Sequence, residues 1–206
     1  MDVLEIIHKY LSEIPYAIVG GGAVQIYTSS IAIKKKVIDS IKDINGLSFM
    51  FRKTGDIDLS FLYDLSELIK TFNMIIEQYS DVYKFHSFIK RFVIQKGNHR
   101  LNLNYQTEPN DLKGIRSYYD DIIHTAITVC LPYRNKIIEV KTAKPEYIVA
   151  SKLTRIKPKD QIDIMILLKA VDMDNYPFDS EEVRSILKSV NKEDNYSILM
   201  DIMDSM

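Results

Sequence analysis

The stretch "RKTGDIDLSF", Arg52 to Phe61, sets two acids in alternation with apolar residues. A period of two predicts a strand whose Asp56 and Asp58 project to one face, about 6–7 Å apart, while Ile57 and Leu59 turn toward the core. Two carboxylates held that close repel each other unless a cation lies between them. Mg²⁺ takes hard oxygen ligands and is often held by one or two carboxylates plus substrate phosphates, so it suits the pair. A half-exposed strand with polar residues outward gives the same pattern, and the pair alone does not decide between them.

A second feature narrows the chemistry. The run "IPYAIVGGGAVQIY", Ile14 to Tyr27, places three of the chain's seven glycines in a row after a short apolar segment. Strand, glycine turn and helix let backbone N–H groups approach a phosphate, and the helix N-terminus adds the positive end of its dipole. No Lys-Ser/Thr follows, so this is not a P-loop, and the spacing is not G-x-G-x-x-G. A tight turn with small residues for close packing is the plainer explanation of Gly20, Gly21 and Gly22. Together, a phosphate cradle and a carboxylate pair imply a nucleoside triphosphate with its metal.

The patterns "VGGGA" (19–23) and "RKTGDIDL" (52–59) resemble the minimal nucleotidyltransferases of the DNA polymerase beta superfamily, nearest to the abortive-infection toxin-like group. The resemblance implies a nucleotidyltransferase fold and transfer of a nucleoside monophosphate from a nucleoside triphosphate. It also implies that Gly20, Gly21 and Gly22 hold the triphosphate, and that Asp56 and Asp58 bind Mg²⁺ or Mn²⁺. Arg52 and Thr54, just ahead of the pair, would support the strand or reach phosphate. A further match, "KLTRIKPKDQID" (152–163), has the form K-x-x-R-x-x-x-K-D-x-x-D. By carry-over Lys152 contacts phosphate and Asp160 is a polar group or general base, with Asp163 one helical turn on. An amphipathic surface helix with i,i+4 charge pairs would look the same.

Two departures from the family pattern stand out. About twenty extra residues, 31–50, separate the glycine motif from the acids; they would cover the substrate or contact a partner. The stretch expected to carry a third carboxylate, "HRLNLNYQTE" (99–108), has Asn102 at that place and Asn104 on the same face. An amide oxygen ligates a hard cation but takes no proton at ordinary pH. Glu108 lies beyond the position. Either Asp56, Asp58 and a base such as Asp160 suffice, or the protein binds nucleotide with weak chemistry. A scaffold with no nucleotide site is the third class.

The elements that would position these residues follow from periodicity. An amphipathic helix is expected near 2–13, ended by Pro15, then the strand "YAIV" and a helix "GAVQIYTSS". "DIDLSFLY" is a strand, and a helix after it has Asp64 as N-cap. Residues 83–107 alternate like two strands joined at Lys96–Asn98, and "DLKGIRSYYDDIIHTA" is helical in part. "ITVCLPY" and "KIIEVKT" form two more strands, with Cys130 a buried small hydrophobe. After Pro145 every segment is helix-like. The fold class is therefore α/β (α+β), a mixed sheet flanked by helices over residues 1–142, with a helical segment, 143–206, packed on the cleft.

Composition sets the outer bounds. With 206 residues, 46% hydrophobic and 27% charged, the chain can bury a substantial core and has no apolar run fit to span a bilayer. One cysteine excludes an internal disulfide, and cytoplasm is the expected compartment. A net charge of −1 gives no global attraction to nucleic acid or anionic membrane, although "KKK" (34–36) and "KLTRIKPK" (152–159) are local basic candidates. His8, His86, His99 and His124 show no ligand spacing. The acceptor, whether RNA such as tRNA, a protein or a small molecule, is open, and an antitoxin or a second copy of the chain is a candidate partner.

Overall fold

The computed structural model of the chain describes residues 2–36, 56–62, 65–88, 91–96, 99–106, 116–133 and 135–206. Arg52, Thr54, Asp64 and Glu108 lie outside them, as does most of the 31–50 insertion. The described elements begin with α1 (Asp2–Leu11), β1 (Tyr16–Val19), α2 (Gly20–Lys34), β2 (Asp56–Phe61) and α3 (Leu65–Tyr79). Strands β3 (Lys84–Phe88), β4 (Arg91–Lys96) and β5 (His99–Gln106) come next, then α4 (Arg116–His124), β6 (Ile127–Tyr133) and β7 (Lys136–Thr142). The chain ends in helices α5 (Pro145–Leu153), α6 (Pro158–Asp174), α7 (Ser180–Ser189) and α8 (Tyr196–Asp204).

Among the described residues, seven strands form one mixed sheet in the order β3-β4-β5-β2-β1-β7-β6. β1 runs antiparallel to β2 and parallel to β7, and β2 runs parallel to β5. The alternation of β2 works as its sequence requires: Ile57, Leu59 and Phe61 enter the core with Leu103 of β5 and Phe92 and Ile94 of β4. The fold is thus a mixed α/β one with helices flanking the sheet.

Helix α2 is the hub. Gly22, Ala23, Val24, Ile26, Tyr27, Thr28, Ile31 and Ala32 are all buried, so the helix has no wet face to speak of. It touches β1, β2, β6 and β7 and also α5 and α6. That double contact explains why it runs on to Lys34, past the "GAVQIYTSS" read from sequence: Ile31 and Ala32 still have a core to enter. Helix α5 is likewise buried, down to Glu146, which accepts hydrogen bonds from the Asp179 N–H at 3.1 Å and the Tyr176 hydroxyl at 3.2 Å. Asp179 in turn caps α7 by accepting from the N–H groups of Glu181 and Glu182.

Two expectations need correction. The alternating run over 83–107 makes three strands, not two, because a reversal falls between Phe88 and Arg91, where the sequence offers no Gly, Pro or Asn to announce it. Cys130 is exposed, because Val129 and Leu131 take the inward positions of the edge strand β6. No helix among the described residues is long and apolar enough to cross a membrane.

Candidate functional site

The glycine motif and the acid pair meet at one residue. Val19, the last of β1, is the register partner of Asp58. The chain then leaves the sheet through Gly20, whose φ of +65° lies in the left-handed region that side chains other than glycine's rarely adopt. A Cβ built on Gly20 would stand 2.7 Å from Asp58 Oδ2, closer than any real contact. The carboxylate therefore lies against the residue that opens α2. The first N–H groups of that helix have no acceptor within it and carry the positive end of its dipole. Two requirements, backbone conformation and clearance for an acid, converge on one glycine.

Across the sheet each acid has an asparagine as its register partner. Asp56 is in register with Asn102 and Asp58 with Asn104 on the parallel strand β5. The next strand, antiparallel, adds Val93 beside Asn102 and Arg91 beside Asn104. Register partners share a face, so one face of β2, β5 and β4 carries the row Asp58, Asn104, Arg91 and the row Asp56, Asn102, Val93. Asp58 is half-buried, Asn102 is also half-buried with its Oδ1 shielded from solvent, and Arg91 is exposed. β5, from His99 to Gln106, contains no carboxylate.

The Asp58 carboxylate and the Asn102 amide are hard oxygen donors, the kind that suit Mg²⁺ or Mn²⁺ and not a soft metal. The clearance at Gly20 keeps the Asp58 carboxylate beside a helix N-terminus where phosphate oxygens would also be drawn. The residues present fit a divalent ion held partly by substrate phosphate. Among the described residues no group of three or more His, Cys, Asp or Glu side chains converges.

The other sequence-predicted residues lie in the helical part and form a cluster of their own. Lys152, near the end of α5, is 2% exposed and Asp160 and Asp163, on α6, are 0% and 1% exposed. Lys152 Nζ donates to Asp160 Oδ1 at 3.1 Å and also to Asp163 Oδ2. Arg155 forks onto Asp160, its Nε reaching Oδ2 and its Nη2 reaching Oδ1, both at 3.1 Å. Asp160 also accepts from the Lys157 N–H at the start of α6, next to Pro158 at the first helical turn. Burial alone would raise the Asp160 carboxyl, but the hydrogen bonds and charges of Arg155 and Lys152 outweigh it and hold the pKa below the ordinary carboxylate value. Asp160 thus stays ionised with both oxygens engaged.

Arg91 is the residue that sequence reading passes over. It is one basic side chain at the start of a strand, and nothing in its neighbourhood marks it. Only the register of three strands, two of them joined by an unannounced reversal, brings it into the row of Asp58.

No family model matches the chain, and no curated protein matches it. Among solved structures it is similar to the antibiotic-resistance factor ANT(2'')-Ia, whose solution structure reveals substrate-regulated conformation dynamics; the TM-score is 0.43 and the identity 16%, over 100% of this chain and 98% of that one. It is also similar to an antigenic nucleotidyltransferase-like protein from Paracoccidioides brasiliensis, with a TM-score of 0.41 and 15% identity over 91% of this chain and 95% of that one. Both likenesses are distant, and a function for this chain has to stand on its own residues.

Proposed function

We propose that the chain is a metal-dependent nucleotidyltransferase that moves a nucleoside monophosphate from a nucleoside triphosphate to an acceptor and releases pyrophosphate. The observation that carries this reading is the contact of Asp58 with Gly20, which joins the acid pair to the mouth of α2. In this reading the N–H groups of Gly21 and Gly22 bind the triphosphate and orient its α-phosphorus. Asp56 and Asp58 hold Mg²⁺ or Mn²⁺, with Asn102 and Asn104 as neutral neighbours. When bound, the ion supplies charge stabilisation to the phosphates as the leaving group departs. Arg52 and Thr54 belong to the same motif and are assigned to the nucleotide side.

Lys152 and Asp160 act here as positioning residues. Their charges meet each other and Arg155 inside the α5–α6 contact, and α5 and α6 both pack on α2. The segment from residue 143 onward thereby fixes the helix whose N-terminus receives the nucleotide. In the proposed arrangement residues 1–142 carry the site and the helices beyond them brace it.

The decisive experiment incubates the protein with α-labelled nucleoside triphosphates, Mg²⁺ and a cell extract as acceptor pool. Wild type is expected to transfer label. The double variant Asp56→Ala plus Asp58→Ala is expected to lose at least about a thousandfold, the rate equivalent of several kcal/mol of charge stabilisation. Transfer that persists in the double variant ends the proposal. The amides on β5 favour one second reading, a nucleotide-binding module with weak chemistry, for which calorimetry would show triphosphate binding without turnover. A toxin role would show as growth arrest on expression, abolished by the same double variant.

A further inference from the structure

Helix α8 turns two features to solvent that its own stability does not ask for. The first is apolar. Leu199 and Ile202 are buried and pin the helix to α5, α6 and α7. Tyr196, Met200 and Met203 fall at i, i+4 and i+7, a spacing that sets them in one stripe along the helix. Tyr196 ends the stripe against α7, where its hydroxyl donates to Glu181 and the Arg184 guanidinium lies 5.6 Å from its ring centre. Met200 and Met203 are each 37% exposed, and Met206, just past the helix, is 50% exposed.

The second feature is charge. Asp201 and Asp204 lie in the last turn of α8, which holds no basic residue. The C-terminus of a helix carries the negative end of its dipole, so acids there weaken the helix and cations strengthen it. Helix α6 has an acid in the same situation, Asp174, and Lys34 of α2 meets it at 2.6 Å. Among the described residues no ion pair reaches Asp201 or Asp204; Arg184 of α7 pairs with Glu181 and Glu193 instead. Residues 193–206 contain four acids and no Lys, Arg or His, so no cation is at hand within the segment.

Charge separates the occupants that could cover such a stripe. A second copy of the chain would set acid against acid, and an anionic membrane or a nucleic acid would be repelled. A positively charged protein segment answers both features at once. Methionine suits that contact, because its unbranched, polarizable side chain adapts to the surface it meets. We propose that this stripe of α8 is a docking surface for a basic amphipathic helix of a partner protein. The partner's apolar side lies on Met200, Met203 and Met206, and its Lys or Arg side chains lie over Asp201 and Asp204. Anchors at helical spacing are how one helix is read by another. The partner's cations give the end of α8 what Lys34 gives the end of α6. The surface does not depend on the nucleotidyltransferase reading.

The test uses the full chain and two fluorescein-labelled synthetic peptides of about 18 residues, one of Leu and Lys at amphipathic helical spacing and one of Leu and Glu. Fluorescence anisotropy is expected to show the Leu/Lys peptide binding at micromolar concentration, at least about tenfold more tightly than the Leu/Glu peptide. That difference is expected to shrink between about 0.05 and 0.5 M salt. Met200→Ser plus Met203→Ser, and separately Asp201→Asn plus Asp204→Asn, are each expected to weaken binding about tenfold. The asparagine pair is also expected to raise the melting temperature of the free protein by about 2–4 °C, since it takes acids away from the negative end of a helix. Ile69→Ser plus Met74→Ser, on the exposed side of α3, is expected to bind like wild type. Equal binding of the two peptides, binding unchanged in either α8 pair, or no binding up to about 100 μM overturns the proposal. A fall in melting temperature with the asparagine pair also overturns it, because the acids would then hold the fold. So does a wild-type chain that sediments as a dimer and turns monomeric with Met200→Ser plus Met203→Ser, because the surface would then belong to a second copy.

Discussion

Two groups of charges sit on either side of α2 and are built in opposite ways. On the sheet, Asp56 and Asp58 have amides as register partners and a glycine cleared of its side chain beside one of them. Between α5 and α6, Asp160 and Asp163 have Lys152 between them and Arg155 closing over the first. The first group has asparagines as register partners, and Asp58 stands half-buried at the mouth of a helix. The second completes its own neutralisation inside the protein. The proposed ligand site and the fold-fixing network use the same residue types, and what separates them is burial: Asp160 and Asp163 are sealed inside the protein, while Asp58 is half-buried at the helix mouth.

The largest effect expected from this contrast comes from the buried network. Lys152→Met leaves Asp160 and Asp163 without their shared cation, and breaking one side of a buried ion pair costs about 3–5 kcal/mol. For a chain of this size the melting temperature is expected to fall by about 6–20 °C. Replacing the cluster together, Lys152→Met with Asp160→Asn and Asp163→Asn, removes the stranded charge and is expected to recover most of that loss. If Lys152→Met left the melting temperature unchanged and abolished label transfer, Lys152 would be a phosphate contact and the contrast would fail.

Next in size is Gly20→Ala. The left-handed φ costs a residue with a side chain about 1–3 kcal/mol, and the added methyl must displace the Asp58 carboxylate. A misplacement of that order in a reacting assembly is worth about a hundredfold in rate. Label transfer is therefore expected to fall about a hundredfold while the protein stays folded, the reverse of the Lys152→Met pattern. Transfer at wild-type level in a folded Gly20→Ala variant would remove Asp58 from the site.

How much of this is open to sequence reading depends on the range of the interaction involved. β1, β2 and the four C-terminal helices are set by local periodicity, and each lies where its apolar residues predict. The glycine–acid contact is legible in kind, because each motif carries a local signature, but that Gly20 and not its neighbours makes the contact depends on the β1–β2 register. The pairing of Lys152 with Asp160 and Asp163 stays hidden because a helix with charges at these spacings looks the same whether its polar face meets water or another helix. Arg91 is hidden for a third reason. Its place depends on counting strands, and the reversal between Phe88 and Arg91 carries no turn residue.

A smaller effect, in a defined pH window, distinguishes the two groups again. The Asp160 carboxyl has its pKa lowered in the folded protein relative to the unfolded value of about 3.9. A depressed carboxylate contributes stability that is fully present above the unfolded pKa and is lost as pH falls through the folded one. The stability difference between wild type and Asp160→Asn, measured by urea titration, is expected to be constant from about pH 7 down to pH 5. It should then shrink progressively below about pH 4 as Asp160 takes its proton. A difference that instead changed between pH 6 and 8 would point to a group other than this carboxyl.

The smallest expected effect belongs to an ion pair that is neither site nor core. Lys34, at the end of α2, reaches Asp174, at the end of α6, at 2.6 Å, with the lysine side chain 66% exposed and the aspartate 22%. It ties two helices that already pack together through their apolar residues, so geometry alone would rank it with the Lys152 network. Solvent decides otherwise: exposed pairs contribute about 0.2–1 kcal/mol and are screened by salt over about 8 Å at physiological ionic strength. Lys34→Ala is expected to cost less than about 1 kcal/mol in urea titration, and that cost should fade in molar salt. The Lys152→Met penalty should persist in the same salt, because its charges are shielded from ions as well as from water. A salt-insensitive loss of several kcal/mol at Lys34 would mean that the α2–α6 contact depends on its rim, and burial would no longer explain which charges hold the fold.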